Sequence, residues 1–425
     1  MNVRFYTLAI LTCLIAVYLP PKDITAHSQT LADHTSDASP ESHHEIDRLM
    51  EQGFQQLYTG QLQKASASFQ QAIERNRQVG ERIGEAQGLL GISEAQSWLS
   101  QSQESLEVAQ QALLIYQDVK DRTGEASALH RVGDAYLDLD KVDEGLSTLQ
   151  QALVIRREVK DRQGEGWTLG LLGIGQLKKG QVQEGLDSMQ QSIAILREPV
   201  AAPEQLRQQY RQAVILAWIG NAYRQQKQYE QTKEPLQKAF NLTRSLGNQP
   251  VERLTLIIQG RVQAEQEQLP EALATYQQAL KVAQSLDDKS AQAEIQALIG
   301  DVYSKQSKYD DAIAAYQQAM RLYKAIGDQA GVAWRLYDIA YTYLNQQQYE
   351  QARSAFQQQL EAARKIGDRT NEVQAITGIG LSYSNYAIQL LRDGSYPEAI
   401  TVAQQAIERA YPEVRGVLLS GERLI

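Results

Sequence analysis

From about residue 45 to residue 411, small and apolar residues recur at helical spacing. A small residue stands at Gly53, Ser93, Gly133, Gly173, Gly220, Gly260, Gly300, Ala340 and Gly380. Four residues before it comes an apolar anchor, at Leu49, Leu89, Leu129, Leu169, Leu216, Leu256, Leu336 and Ile376. An i,i+4 pair lies on one helix face, so each pair marks an amphipathic helix whose buried stripe carries a point of close approach. Tyr136, Tyr223, Tyr303, Tyr343 and Tyr383 follow the small residue by three positions. A second helix in each unit carries its own small residue, at Ala65, Ala272, Ala312, Ala352 and Ala399. In four of these the residue four positions on is aromatic: Phe69, Tyr276, Tyr316 and Phe356. The pattern therefore predicts pairs of packed helices joined by tight turns, with no strand.

The pairs repeat. The position closing the Gln-Gln-Ala signature returns at 72, 112, 152, 192, 239, 279, 319, 359 and 406, in steps of 40 broken twice by steps of 47. A period of this length signals a solenoid, in which each unit packs only against its neighbours. The longer steps place one insertion near Pro199 to Pro203 and one after Tyr383, the latter lengthening the first helix or turn of the ninth unit. Proline disfavours a continued helix, so the first insertion predicts a bend between two half-arrays. Units end in turns such as Lys120 to Ala126, with Gly80, Gly247, Gly327 and Gly367 suited to the left-handed residue just past a helix end.

With Tyr309 to Ala319 as example, Tyr-x-x-Ala-x-x-x-aromatic-x-x-Ala in the second helix and small-x-x-Tyr in the first resemble the tetratricopeptide repeat. The longer unit is similar to the variant in kinesin light chains, peptide-sensing bacterial regulators and bacterial proteins that add a protease-like CHAT domain, a domain not expected in these residues. The resemblance implies an all-α, right-handed superhelical α-solenoid of about nine helical hairpins. It divides the folded region into repeats one to four (45–198) and five to nine (199–411), with a C-terminal cap over 412–425.

The N-terminal residues have a different character. Arg4 precedes an uncharged apolar stretch from Phe5 to Leu19, then Pro20 and Pro21, and Ala26-His27-Ser28 offers a small-x-small cleavage site. Residues 1–28 are expected to be a signal peptide exporting the chain from a bacterial cytoplasm, or an uncleaved membrane anchor over 5–19. Residues 29–44, polar and without helical period, are expected to be a flexible linker. The chain has 22% charged residues and a formal net charge of −9, with no basic run that would attract phosphate, so no nucleic-acid partner is expected. Its single cysteine, Cys13, lies inside the apolar N-terminal stretch, which excludes a disulfide framework and a cysteine nucleophile in the folded part. Of five histidines only His130 falls in the repeats; no phosphate-binding loop occurs, and no enzyme, cofactor or metal is expected.

Binding is the expected use, because stacked hairpins generate a concave surface lined by their first helices. The groove positions that the resemblance implies fall on Trp167, Trp218, Asn221, Arg224, Arg261, Asp301, Lys305, Trp334, Tyr337, Asp338 and Tyr341, with Trp98, His130, Arg131 and Asp134 in earlier units. Aromatic anchors beside Arg and Asn suit a protein or peptide, whose backbone or carboxylates those side chains can hydrogen-bond. The same aromatics also suit packing between neighbouring units. Three readings stay open: a scaffold or adaptor outside the cytoplasm, a peptide-responsive regulator that changes its superhelical pitch, and a self-associating array.

Overall fold

The computed structural model describes residues 40–406. Seventeen helices follow one another: α1 (Pro40–Tyr58), α2 (Leu62–Val79), α3 (Arg82–Trp98), α4 (Ser102–Val119), α5 (Arg122–Asp138), α6 (Val142–Glu158), α7 (Arg162–Lys178), α8 (Val182–Leu196), α9 (Ala202–Gln225), α10 (Tyr229–Leu246), α11 (Gln249–Glu265), α12 (Leu269–Ser285), α13 (Lys289–Lys305), α14 (Tyr309–Ala325), α15 (Gln329–Asn345), α16 (Tyr349–Ile366) and α17 (Arg369–Arg392). A last helical stretch covers 396–406, and there is no strand among the described residues. Odd-numbered helices are the first helices of the hairpins and even-numbered ones the second, stacked in chain order as a superhelical α-solenoid. The expected signal peptide or anchor, and the expected C-terminal cap, lie outside the described residues. Of the linker expected over 29–44, residues 40–44 are helical instead, because α1 begins at Pro40, and the rest lies outside the described residues. Proline at a first helical position has its φ pre-set and no N–H to leave unpaired.

Local chemistry sets the turns. Gly80, Gly247, Gly327 and Gly367 adopt φ of 77°, 68°, 78° and 71°, the left-handed conformation expected of them. At six of the turns between repeats, three of them after Gly247, Gly327 and Gly367, the residue before the next helix caps it: Asp121, Asp161, Asn248, Asp288, Asp328 and Asp368 each accept from the backbone N–H three positions on, at 2.8–3.0 Å. A cap of this kind satisfies one of the orphan donors at a helix start.

The small residues mark close approaches within a hairpin. A Cβ on Gly133 would sit 2.7 Å from Leu149, one on Gly260 2.4 Å from the Tyr276 ring, and one on Gly300 2.5 Å from the Tyr316 ring. Gly380 departs from the pattern, since nothing lies within 4 Å of a Cβ built there. The second insertion makes α17 24 residues long, against 17 in α15, and the position four residues past Ala399 is Ala403, where the four repeats named above carry a ring.

The first insertion has the same effect at the other end of a helix. Helix α9 also has 24 residues, and its extra turns precede the repeat, with proline in its first turn. The gap at 197–201 separates α8 from α9 but not their cores. One apolar cluster runs from Ile46 through Leu149, Trp167, Leu196, Tyr210 and Ile215 to Val262. Further clusters centred on Tyr276 and Phe356 continue the core to Val402.

Candidate functional site

The lengthened α9 divides the concave face into two unlike halves. Its N-terminal part crosses the interior of repeats one to four, where it meets α1 and α7. Tyr210 is buried there, its ring 5.2 Å from Tyr58, 6.3 Å from Trp98 and 6.2 Å from Trp167. Its hydroxyl accepts from the Trp98 indole N–H at 2.6 Å and donates to Glu94 at 3.0 Å. At the rim, the Asn248 side-chain amide donates to the Tyr58 carbonyl at 2.9 Å, tying the turn before α11 to the end of α1. Five repeats thereby close on themselves around a filled centre.

That centre holds paired charges. Arg131 lies 3.2 Å from Asp134 and 3.8 Å from Glu94. It also donates to His130 Nε2 at 2.8 Å. An arginine only donates, so Nε2 is the acceptor and Nδ1–H is left to donate to Thr168 Oγ1 at 3.1 Å, which makes the ring neutral. Burial, then Arg131, Arg156 and Arg211, push the His130 pKa well down, in agreement. Burial pushes the Asp134 carboxyl up to about 7, Arg131 opposing it and Asp138 and Glu94 adding to it.

The sequence-derived groove residues therefore separate into two groups. Trp167 is buried within the closed half, against His130 and Tyr210, and Trp218 packs half-buried on the same core. Asn221 is buried and accepts from Arg224 Nε at 2.9 Å. From Arg224 onward the face is open. Arg224, Arg261, Asp301 and Lys305 line one cleft of about 490 Å³ on successive first helices α9, α11 and α13, with Tyr276 and Tyr316 in its wall. Helix α15 extends this face with Asp338 and a row of aromatic rings: Trp334 is 39% exposed, 6.1 Å from Tyr337, which is 4.5 Å from Tyr341.

Each charge in the cleft already has a partner. Arg224 pairs with Glu265, Arg261 pairs with Glu294 at 2.6 Å, and Asp301 accepts from the Tyr316 hydroxyl at 2.7 Å. Lys305 donates to the Ala264 carbonyl at 3.1 Å. Partly solvated pairs of this kind contribute little to stability and exchange partners cheaply. The cleft thus offers two guanidiniums, one ammonium and two carboxylates, Glu265 and Asp301, at a half-open surface. Sequence reasoning missed Glu265 and Glu294, although the separation of about one repeat from Arg224 and Arg261 is a usable signal. It also missed Tyr210, which lies away from the groove offsets. Among the described residues no cluster of three or more His, Cys, Asp or Glu side chains is placed to hold a metal ion. No helix among them is long and apolar enough to cross a membrane.

The fold and these faces define a helical-repeat binding scaffold. Residues 124–198, 211–285, 253–325 and 291–365 match the family model described as tetratricopeptide repeat; together they span more than half of the sequence, and the chain belongs to that family. No catalytic family is indicated. No curated protein matches the sequence. Among solved structures, the chain is similar to a STAND signal-transduction ATPase with a tetratricopeptide repeat sensor from Pyrococcus horikoshii. The likeness has 16% identity and a TM-score of 0.51 over 75% of this chain and 52% of that one, so it spans about half of that protein's length. It is also similar to the apo quorum sensor NprR from B. thuringiensis, at 16% identity and TM-score 0.52 over 79% and 91% of the two chains. A third likeness is the Rap conjugation gene regulator of plasmid pLS20 in complex with the Phr* peptide, at 14% identity and TM-score 0.51 over 76% and 82%. At these identities the likeness is one of fold.

Proposed function

We propose that the protein is a non-catalytic scaffold that holds a protein or peptide segment along the open concave face of α9, α11, α13 and α15. The observation that carries this reading is the contrast between the two halves. In the closed half Tyr210 and its ring partners, carried in by α9, occupy the concave face, whereas the face from Arg224 to Tyr341 presents charged and aromatic side chains around a cleft with no chain segment of its own inside it among the described residues. Arg224, Arg261 and Lys305 suit carboxylates and backbone carbonyls, and the exposed Trp334 suits an apolar anchor. The peptide complex of the Rap regulator supports this use of the fold.

The site of action in this proposal is outside a bacterial cytoplasm, on the strength of Arg4, the uncharged run from Phe5 to Leu19 and the Ala26-His27-Ser28 motif. Mass spectrometry of the mature N-terminus tests the location, and an intact Met1 on cytoplasmic protein removes it. The binding face is tested by pull-down from envelope extract with wild type and an Arg224→Ala, Arg261→Ala, Lys305→Ala variant. Loss of specific partners from the triple variant is expected. Identical partner sets would remove the open face from the proposal.

A further inference from the structure

The interior of the closed half contains a second pocket, distinct from the open cleft, of about 290 Å³ between α1, α3, α5, α7 and α9. Four guanidiniums line it: Arg131, Arg156, Arg207 and Arg211. Three are matched to carboxylates. Arg131 has Glu94 and Asp134, Arg156 has Asp161, and Arg207 has Glu204. Arg211 has neither ion pair nor hydrogen bond among the described residues, and its guanidinium lies 5.7 Å over the Trp167 ring. Of the two carboxylates on the wall, neither pairs with Arg211, and Glu94 acts on it only weakly. Glu94 is engaged by Tyr210 and Arg131, and Asp121 caps the backbone N–H of Gly124. Arg156 is itself buried with Nε lacking a partner. Burial and the neighbouring Arg207 push the Arg211 pKa down to about 10, so the fold holds this cation at a cost.

Arg211 is half-buried, and a guanidinium drawn partly out of water without a carboxylate beside it is destabilising; the usual compensation is an anion. Phe54, Tyr58, Tyr116 and Trp167 give the rest of the wall a partly aromatic character, beside Leu90 and small or polar residues. We propose that this pocket binds a small organic oxyanion on a flat apolar body, a phosphate monoester or a carboxylate. The oxyanion accepts from Arg211 and Arg207, and the body lies against Trp167. The proposal stands apart from the open cleft, because no residue is shared between the two pockets. Occupancy joins α9 to α1, α5 and α7 and so stabilises the closed half.

The test uses the full chain, with phenyl phosphate, benzoate and inorganic phosphate as probes at matched ionic strength. Thermal unfolding and Trp fluorescence are the readouts. Phenyl phosphate or benzoate is expected to raise the melting temperature and to alter emission from Trp167, and whichever acts more strongly identifies the oxyanion. In Arg211→Gln the affinity is expected to fall about tenfold or more, since charge-assisted hydrogen bonds to an oxyanion are the strong ones. The unliganded variant is expected to melt at the same temperature as wild type or higher, because an unpaired cation has been removed. A purely structural Arg211 gives the opposite sign, a lowered melting temperature without probe. That result, or a probe effect equal in wild type and variant or no greater than that of sodium chloride, overturns the proposal. Should Arg211→Gln fail to fold, Arg207→Gln carries the same affinity test.

Discussion

Tyr210 receives the indole N–H of Trp98 at 2.6 Å across 112 residues of chain, which joins the first helix of repeat five to that of repeat two. A solenoid whose units contact only their neighbours has no such bond. The same hydroxyl donates to Glu94. Tyr210→Phe keeps the buried ring and strands both partners, so a loss of about 1–3 kcal/mol is expected from the unsatisfied buried donor and acceptor. Urea denaturation followed by tryptophan fluorescence measures it. A variant as stable as wild type would show that the closure rests on ring packing alone.

Gly300 and Gly380 occupy the same place in their repeats and are expected to respond oppositely to alanine. At Gly300 the added methyl meets the buried Tyr316 ring at 2.5 Å, and the ring's hydroxyl is held by Asp301. Overpacking of this kind costs about 1–3 kcal/mol, partly offset by the better helix propensity of alanine. At Gly380 the methyl meets nothing within 4 Å, so only the propensity gain of roughly 0.5–1 kcal/mol remains. Gly300→Ala should therefore lower the melting temperature and Gly380→Ala leave it unchanged or raise it.

This pair shows what the residue pattern can and cannot convey. The hairpins were legible because Leu129 with Gly133, or Leu256 with Gly260, state a helix face and a close approach within one repeat. Gly380 carries the same local signal in its own helix, but the position that would supply the ring is Ala403, and nothing lies within 4 Å of a Cβ built on it. The open cleft was legible in part: Arg224, Arg261, Asp301 and Lys305 share one face because helix period and repeat period both place them there. Their ion pairs were not, because a bond such as Arg261 to Glu294 depends on rotamers reaching between repeats. The closure through Tyr210 was the least legible feature. It rests on the extra N-terminal turns of α9 meeting α1, α3 and α7, and no local pattern records which distant helices those turns reach.

Asp338 is expected to make stability depend on pH. Burial pushes its pKa up from 3.8 to about 7, Arg335 opposing and Asp301 adding. Arg335 stands 3.0 Å away without the alignment for a hydrogen bond, which explains its limited effect. Because the folded pKa lies above the unfolded one, the folded state holds the extra proton between about pH 4 and 7, and stability falls as pH rises through that window. Asp134, also raised to about 7, acts in the same direction. The melting temperature should accordingly be higher at pH 5.5 than at pH 8, and Asp338→Asn should flatten the profile by an amount on the order of 1–2 kcal/mol. A profile unchanged by the substitution would place Asp338 in water.

Asn248 does two things that Asp328, at the equivalent turn two repeats further along the array, does only in part. Both cap the following helix, at 3.0 Å to Val251 N and 2.8 Å to Gly331 N. Only Asn248 also donates across the superhelix, to the Tyr58 carbonyl. Loss of a cap costs about 0.5–2 kcal/mol, the cost expected of Asp328→Ala. Asn248→Ala should cost about 1 kcal/mol more, for the lost cross-turn bond and the buried carbonyl left behind. Asn248→Asp separates the two contributions, because a carboxylate retains the cap but turns an acceptor toward the Tyr58 carbonyl. Hydrogen exchange in α1 should then accelerate while α11 stays protected. Equal protection of α1 in wild type and Asn248→Asp would mean that the ring is held shut elsewhere.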